Sequence, residues 1–251
     1  MTTSMKKPLS FYLTALSVLL ISLFVIPAKA GPDNELSLPV IAAAPVVETP
    51  ESSAICQYDQ MNLGGSGLSK DAFEKALKGL NYLTAANKVN NNSIISIVDF
   101  SLPSSAKRLF VIDLKNNKLL YNTYVAHGRN SGKETAESFS NNESSFKSSL
   151  GFYITQETYN GKHGYSLKLD GQEKGFNDQA LNRGIVMHSA WYVNEQLAKN
   201  KGCIGRSEGC PAIPQSIYKP VISEIKGGTC LFIYSPNSFY ASHSPILNKA
   251  S

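Results

Sequence analysis

From residue 108 to residue 234 the chain repeats one pattern: short apolar runs rich in β-branched and aromatic residues, cut by polar turns. Such runs between Gly, Asn and Ser clusters predict strands, because branched side chains fit a pleated, half-buried surface. Residues 109–114 and 119–126 flank Lys115-Asn116-Asn117-Lys118, which predicts a hairpin. Further strands are expected at 152–156, 165–169, 184–189 and 229–234. A helix is expected to start at Ser69 as N-cap, with Asp71 in its first turn and Phe73, Ala76, Leu77, Leu80 and Leu83 on one face. Short helices are predicted at 177–182, 192–199 and 214–225, and the polar stretch 131–149 reads as a long surface loop. The expected fold class is mainly β: a single domain with peripheral α-helices. With 42% hydrophobic and 10% aromatic residues, the chain can bury a core, which excludes a wholly disordered protein.

Residues 1–30 read differently. Lys6 and Lys7 precede an apolar stretch from Leu9 to Ile26, and Ala28-Lys29-Ala30 supplies the small-x-small pattern of a signal-peptidase site. The segment is therefore expected to be a secretory signal peptide, with no stable membrane span after cleavage. Its rival is a retained anchor, since the run approaches the roughly 17–20 residues needed to cross a bilayer. The formal net charge is +5, and Lys6, Lys7 and Lys29 supply three of those charges in a segment without acid, leaving +2 for the remainder. No concentrated basic face is visible, so a nucleic-acid partner is not expected. Residues 31–53, rich in Pro, Ala, Val and Glu, read as a flexible linker. The folded domain is expected over 54–240, and a loose C-terminal tail over 241–251.

Four cysteines, Cys56, Cys203, Cys210 and Cys230, accompany four histidines. In an exported chain pairing into disulfides is the default expectation. Zinc is disfavoured, because Cys203 and Cys210 lack the close spacing of a structural site and no two His stand four apart on a helix. A third reading is nucleophilic catalysis. Gly209 before Cys210 permits a sharp turn and Pro211 fixes the exit, so the thiol is presented at a bend where backbone N–H groups can converge on an oxyanion. The run Gly184-Ile185-Val186-Met187 delivers His188 at a strand end, and an imidazole beside a thiol holds it as thiolate and can later protonate a leaving amine. Residue chemistry alone leaves this dyad and a structural disulfide open. If Cys210 is the nucleophile, any structural bridge is expected to exclude it.

Taken together, these segments resemble the YkuD-type L,D-transpeptidases, in the branch called the murein L,D-transpeptidase catalytic domain family. The resemblance rests on five ordered segments: Arg108-Leu109-Phe110-Val111-Ile112-Asp113-Leu114; Val125-Ala126-His127-Gly128; Ser148-Ser149-Leu150-Gly151; Val186-Met187-His188; and Gly205-Arg206-Ser207-Glu208-Gly209-Cys210-Pro211-Ala212. It implies a YkuD-like β-sandwich or barrel and a periplasmic or cell-envelope enzyme acting on peptidoglycan stem peptides. Cys210 would attack the diaminopimelate carbonyl of a tetrapeptide stem, release D-Ala and pass the acyl group to an amine on a second stem. The alternatives are an L,D-carboxypeptidase, which gives the same acyl-enzyme to water, and a non-catalytic cell-wall-binding protein. Carried over, Cys210 matches the nucleophile, His188 the base and acid, and Ser189 the residue whose carbonyl orients the imidazole. Gly209 and Cys210 match the oxyanion donors, and Ser207 the small polar residue shaping that turn. The thiol and imidazole chemistry requires no metal or organic cofactor.

One departure is Ala212, where the wider family carries Arg. Arg206 is a candidate carboxylate partner on that account, and His127, at a predicted strand end, a candidate substrate contact. His163, in the turn Asn160-Gly161-Lys162-His163-Gly164, reads as exposed and without function. Trp191 reads as a core residue.

Overall fold

The structure, a computed structural model, describes residues 50–249, all within one compact unit spanning 47–251. The expected signal peptide and most of the expected linker lie outside the described residues. Two helices, α1 (Pro50–Gln60) and α2 (Lys70–Ala85), lead into β1 (Ile94–Asp99), β2 (Leu109–Asp113), β3 (Lys118–Thr123), β4 (Gly151–Gly161) and β5 (Gly164–Gly171). There follow β6 (Val186–Ala190), α3 (Glu195–Lys201), β7 (Ala212–Pro214), α4 (Tyr218–Ile225), β8 (Cys230–Tyr234) and two short helices, α5 (Ser238–His243) and α6 (Pro245–Lys249).

All eight strands join one sheet in the order β3-β2-β1-β8-β4-β5-β6-β7. The β1–β8 and β6–β7 pairs are parallel, the remainder antiparallel. Beyond β3 the chain runs on to meet the opposite edge: Ala126 forms an antiparallel bridge to Ala212 in β7, with its N–H 2.8 Å from the Ala212 carbonyl. The two edges thereby cover one another and the sheet is nearly a closed barrel, which removes the unpaired edges an open sheet exposes. The mainly β architecture expected from the sequence is the observed one.

Helix α2 is the expected one. Ser69 caps it, its hydroxyl accepting from Ala72 N–H at 3.3 Å, and Phe73, Ala76, Leu80 and Leu83 are buried. It packs on β1 and β8, and Gly79 allows this, since a Cβ there would come within 2.0 Å of the Phe152 ring. Phe152 in turn stacks on Phe232, centroids 4.1 Å apart, at the middle of the core. The β2–β3 hairpin also forms where expected, with Asn117 at φ 49 in its turn.

Several expectations are corrected. Helix α1 begins at Pro50, inside the expected linker 31–53 and across its boundary with the expected domain; Gln57 anchors it through its side-chain amide to Asn117 Oδ1 at 3.1 Å. The expected loose tail 241–251 is folded through residue 249: Ile246 and Leu247 are buried against the core, α6 packs on α2, and the Ser244 hydroxyl donates to buried Glu173. That carboxyl also accepts from Phe152 N–H at 2.8 Å and the Tyr240 hydroxyl at 2.7 Å. Burial pushes its pKa above the usual range despite these donors. Residues 177–182 form turns instead of a helix, because the Asn177 side chain is held by Glu173 N–H at 2.9 Å and the Phe152 carbonyl at 3.0 Å. Residues 212–214 are strand β7, so the last long helix starts at Tyr218. Strand β1 was not among the predicted strands; it is buried throughout and therefore shows no polar alternation. Trp191 is 73% exposed, because the chain turns outward directly after β6.

Candidate active site

Cys210 lies in the loop entering β7, and His188 in the middle of β6. Parallel pairing sets His188 opposite Ala212, two residues beyond Cys210. The half-buried sulfur rests against the start of β6: Sγ accepts from Val186 N–H at 3.5 Å and makes a long 3.8 Å contact to the Gly184 carbonyl. Among the described residues no hydrogen bond joins this sulfur to the imidazole.

His188 is buried, and its Nδ1 lies 2.9 Å from the Ser189 carbonyl. A carbonyl can only accept, so the neutral ring carries its proton on Nδ1 and keeps the Nε2 lone pair for another partner. Burial lowers the His188 pKa against the opposing pull of that carbonyl, and the charges of His163 and Lys162 lower it further. Burial likewise pushes the Cys210 thiol up, while Val186 N–H, Arg183 and Lys162 pull it down and Glu208 raises it. Both shifts favour the neutral forms, against the thiolate that the sequence led one to expect.

Ser207 builds the turn. Its hydroxyl accepts from Gly209 N–H at 3.1 Å and donates to the Cys210 carbonyl at 2.6 Å, closing a small ring around the bend. Its backbone is pinned by the His127 carbonyl at 2.9 Å and by Arg129 N–H at 2.7 Å. Gly209 has φ 124, and a Cβ there would stand 2.8 Å from the Lys147 carbonyl, so both backbone conformation and space call for glycine. The Gly209 N–H is therefore committed to Ser207, whereas the Cys210 N–H has no hydrogen-bond partner among the described residues.

The polar stretch 131–149 is more than a surface loop. Ser148 accepts from Gly128 N–H at 3.0 Å and donates to the Gly209 carbonyl at 3.5 Å. Arg183 stitches the same loop to the approach to β6, donating to the Ser140 and Lys147 carbonyls at 2.8 Å each and to Ser149 Oγ at 2.5 Å. Its guanidinium passes beside Gly209 and carries positive charge toward the sulfur. Tyr192, half-buried beyond β6, has its hydroxyl pushed up to about 12 by burial, then by the charges of Cys210 and Glu208.

The expected site residues divide in two. Cys210, His188, Ser189, Ser207 and Gly209 gather at the β6–β7 junction. Arg206 and His127 meet elsewhere, on the Gly132 carbonyl, which accepts from Arg206 Nη1 at 3.0 Å and His127 Nε2 at 3.2 Å. Arg206 is exposed, with a second bond to the Arg129 carbonyl at 3.0 Å. His127 is fully buried, its Nδ1 accepting from Arg108 Nη2 at 2.7 Å, so the expected substrate contact is instead part of the core. Burial first, then the Arg108 charge, lowers its pKa to about 4. All four cysteines are free. Sequence reasoning missed Arg183 and Tyr192 because single polar residues beside a strand carry no pattern, and it dismissed His163, whose ring stacks on His188.

Solved structures similar to the chain include an L,D-transpeptidase from Mycobacterium smegmatis, at 10% identity and a TM-score of 0.36, covering 57% of this chain and 59% of that one. The helical cell shape determining protein Pgp2 from Campylobacter jejuni is similar at 12% identity and a TM-score of 0.41, covering 64% and 57% respectively. An L,D-transpeptidase from Stackebrandtia nassauensis is similar at 15% identity and a TM-score of 0.35, covering 74% and 78%. The chain thus spans less than two thirds of the length of the first two. No curated protein matches it. A family model described as the L,D-transpeptidase catalytic domain matches residues 65–234, from the turn before α2 to the end of β8. By that match the chain belongs to the L,D-transpeptidase catalytic domain family.

Proposed function

We propose that this protein is a cysteine-dependent L,D-transpeptidase of the cell envelope, exported by residues 1–30 and acting through a domain that follows the tether. Cys210 is the nucleophile and His188 the general base and acid. The observation that carries this reading is the Nδ1–H bond to the Ser189 carbonyl, which leaves Nε2 of His188 basic on the strand where the Cys210 sulfur rests.

The substrate class is a peptidoglycan stem peptide. The sulfur leaves the Val186 N–H and meets Nε2, which takes the thiol proton as Sγ bonds to the carbonyl carbon of diaminopimelate in a tetrapeptide stem. The developing oxyanion accepts from the Cys210 N–H. The C–N bond then breaks, Nε2 returns its proton to the amine of departing D-Ala, and a thioester remains. A side-chain amine of a second stem attacks that thioester and gives a proton to His188, and the sulfur leaves and is reprotonated. Gly209 acts through conformation, since its own N–H serves Ser207. Arg183 and Lys162 offset negative charge on the sulfur during the transfer.

The test is incubation of mature protein with purified tetrapeptide muropeptides, with products read by mass. Cross-linked dimer with loss of D-Ala is the expected result. Tripeptide alone would reassign the enzyme as a carboxypeptidase, and unchanged substrate with folded protein would contradict catalysis. Cys210→Ala is expected to abolish turnover.

A further inference from the structure

The β4–β5 hairpin closes on Gly161 and Gly164, so Lys162 and His163 form a two-residue tip. Strand β5 pairs antiparallel with β6 through Leu167–Met187 and Lys168–Val186. Continued by one step that register sets Ser166 opposite His188, and the tip just beyond folds back so that the His163 and His188 imidazoles stack, centroids 4.2 Å apart and planes 19° from parallel. His163 is exposed to solvent on its other side, while His188 is buried. An exposed turn residue gains little from such an arrangement, so the stack matters for the buried ring.

We infer that His163 is a positioning residue, its ring covering one face of the His188 imidazole and holding Nε2 in line for proton exchange with Cys210. The inference rests on the functional reading above. The Ser189 carbonyl fixes one ring nitrogen but leaves the imidazole free to rock about that bond. A flat ring against its face removes this freedom. Proton transfer is sensitive to such freedom, since small misplacements of a reacting group are costly in rate. The turn is tight, because Gly164 at φ 74 lets Lys162 and His163 reverse the chain between the paired Gly161 and Gly164. Phe can replace His163 in this role, because stacking needs only a ring.

The titratable groups acting on His188 are His163 and Lys162 of the tip; those acting on Cys210 across the β6–β7 junction are Arg183, Lys162 and Glu208. A positive charge on His163 disfavours a second one on His188, so removing it shifts the His188 titration upward.

The experiment compares wild type, His163→Ala and His163→Phe by muropeptide turnover and by NMR titration of the His188 ring. His163→Ala is expected to lower kcat about tenfold with KM within about twofold, as loss of orientation alone requires. His163→Phe is expected to recover most of that loss, and both variants to titrate His188 at higher pH than wild type. An unchanged kcat in His163→Ala overturns the inference, as does a rise in KM alone, which would make His163 a substrate contact. If wild type turns over no muropeptide, the functional reading fails by itself. The titration then decides the stack: an unchanged His188 titration in His163→Ala overturns it.

Discussion

At Cys210 and His188 the surroundings push two groups in opposite directions, the thiol up and the imidazole down. A neutral pair of this kind reacts over a plateau. As pH falls, His188 is lost as a base only below the ordinary imidazole value of about 6.5, and as pH rises the free thiolate gains only above about 8.5. Alkylation of Cys210 by iodoacetamide should therefore rise to a plateau with an acid limb below pH 6.5. His188→Ala should abolish that limb and leave one rise above the ordinary thiol range; a limb that persists in the variant would contradict the pairing. Ser207 binds both sides of the bend, so Ser207→Ala should lower turnover and cost about 1–3 kcal/mol in urea unfolding. Gly209→Ala should do more harm to turnover, since it adds strain at φ 124 and a contact with Lys147. The bend at Cys210 and the strand carrying His188 were legible in sequence because Gly209-Cys210-Pro211 and the apolar run into His188 are local patterns, although His188 falls mid-strand and not at the strand end expected. Arg183 and the His163 stack were not, because they depend on which segments meet in space.

Elements show the same division. The α2 face and the β2–β3 hairpin could be read from period and turn residues, since their own sequence decides them. The buried β1, the three-residue β7 and helix α6 could not. Each is stabilised by partners distant in sequence: β8 for β1, β6 for β7 and α2 for α6. Ile246 and Leu247 show no periodicity by themselves, yet they seal the core beneath α2. Leu247→Ala is expected to destabilise the protein by about 2–5 kcal/mol, measured by denaturant unfolding. A loss below about 0.5 kcal/mol would match an ordinary surface substitution and would mean that the segment is not packed in solution.

For the molecule as a whole, barrel closure and the site are one construction. The chain leaving β3 reaches β7 through Ala126, and the next residue, His127, holds the Ser207 N–H with its carbonyl while its ring is fixed by Arg108. This linkage makes stability depend on pH. His127 is held to about 4 in the fold against about 6.5 when unfolded, so between those values the unfolded chain binds more protons. Unfolding free energy should thus fall as pH drops from 6.5 to 4, by up to about 3 kcal/mol for this residue. His127→Gln, which keeps an acceptor and a donor, should flatten that dependence relative to wild type; an identical slope in both would remove His127 as its source. The functional claim is tested most directly at the sulfur itself. Mature protein mixed with tetrapeptide stem, quenched in acid and mapped by mass spectrometry should carry a tripeptide thioester on Cys210, absent from His188→Ala. Folded protein that shows no adduct, or one on Cys56, Cys203 or Cys230, would contradict the account.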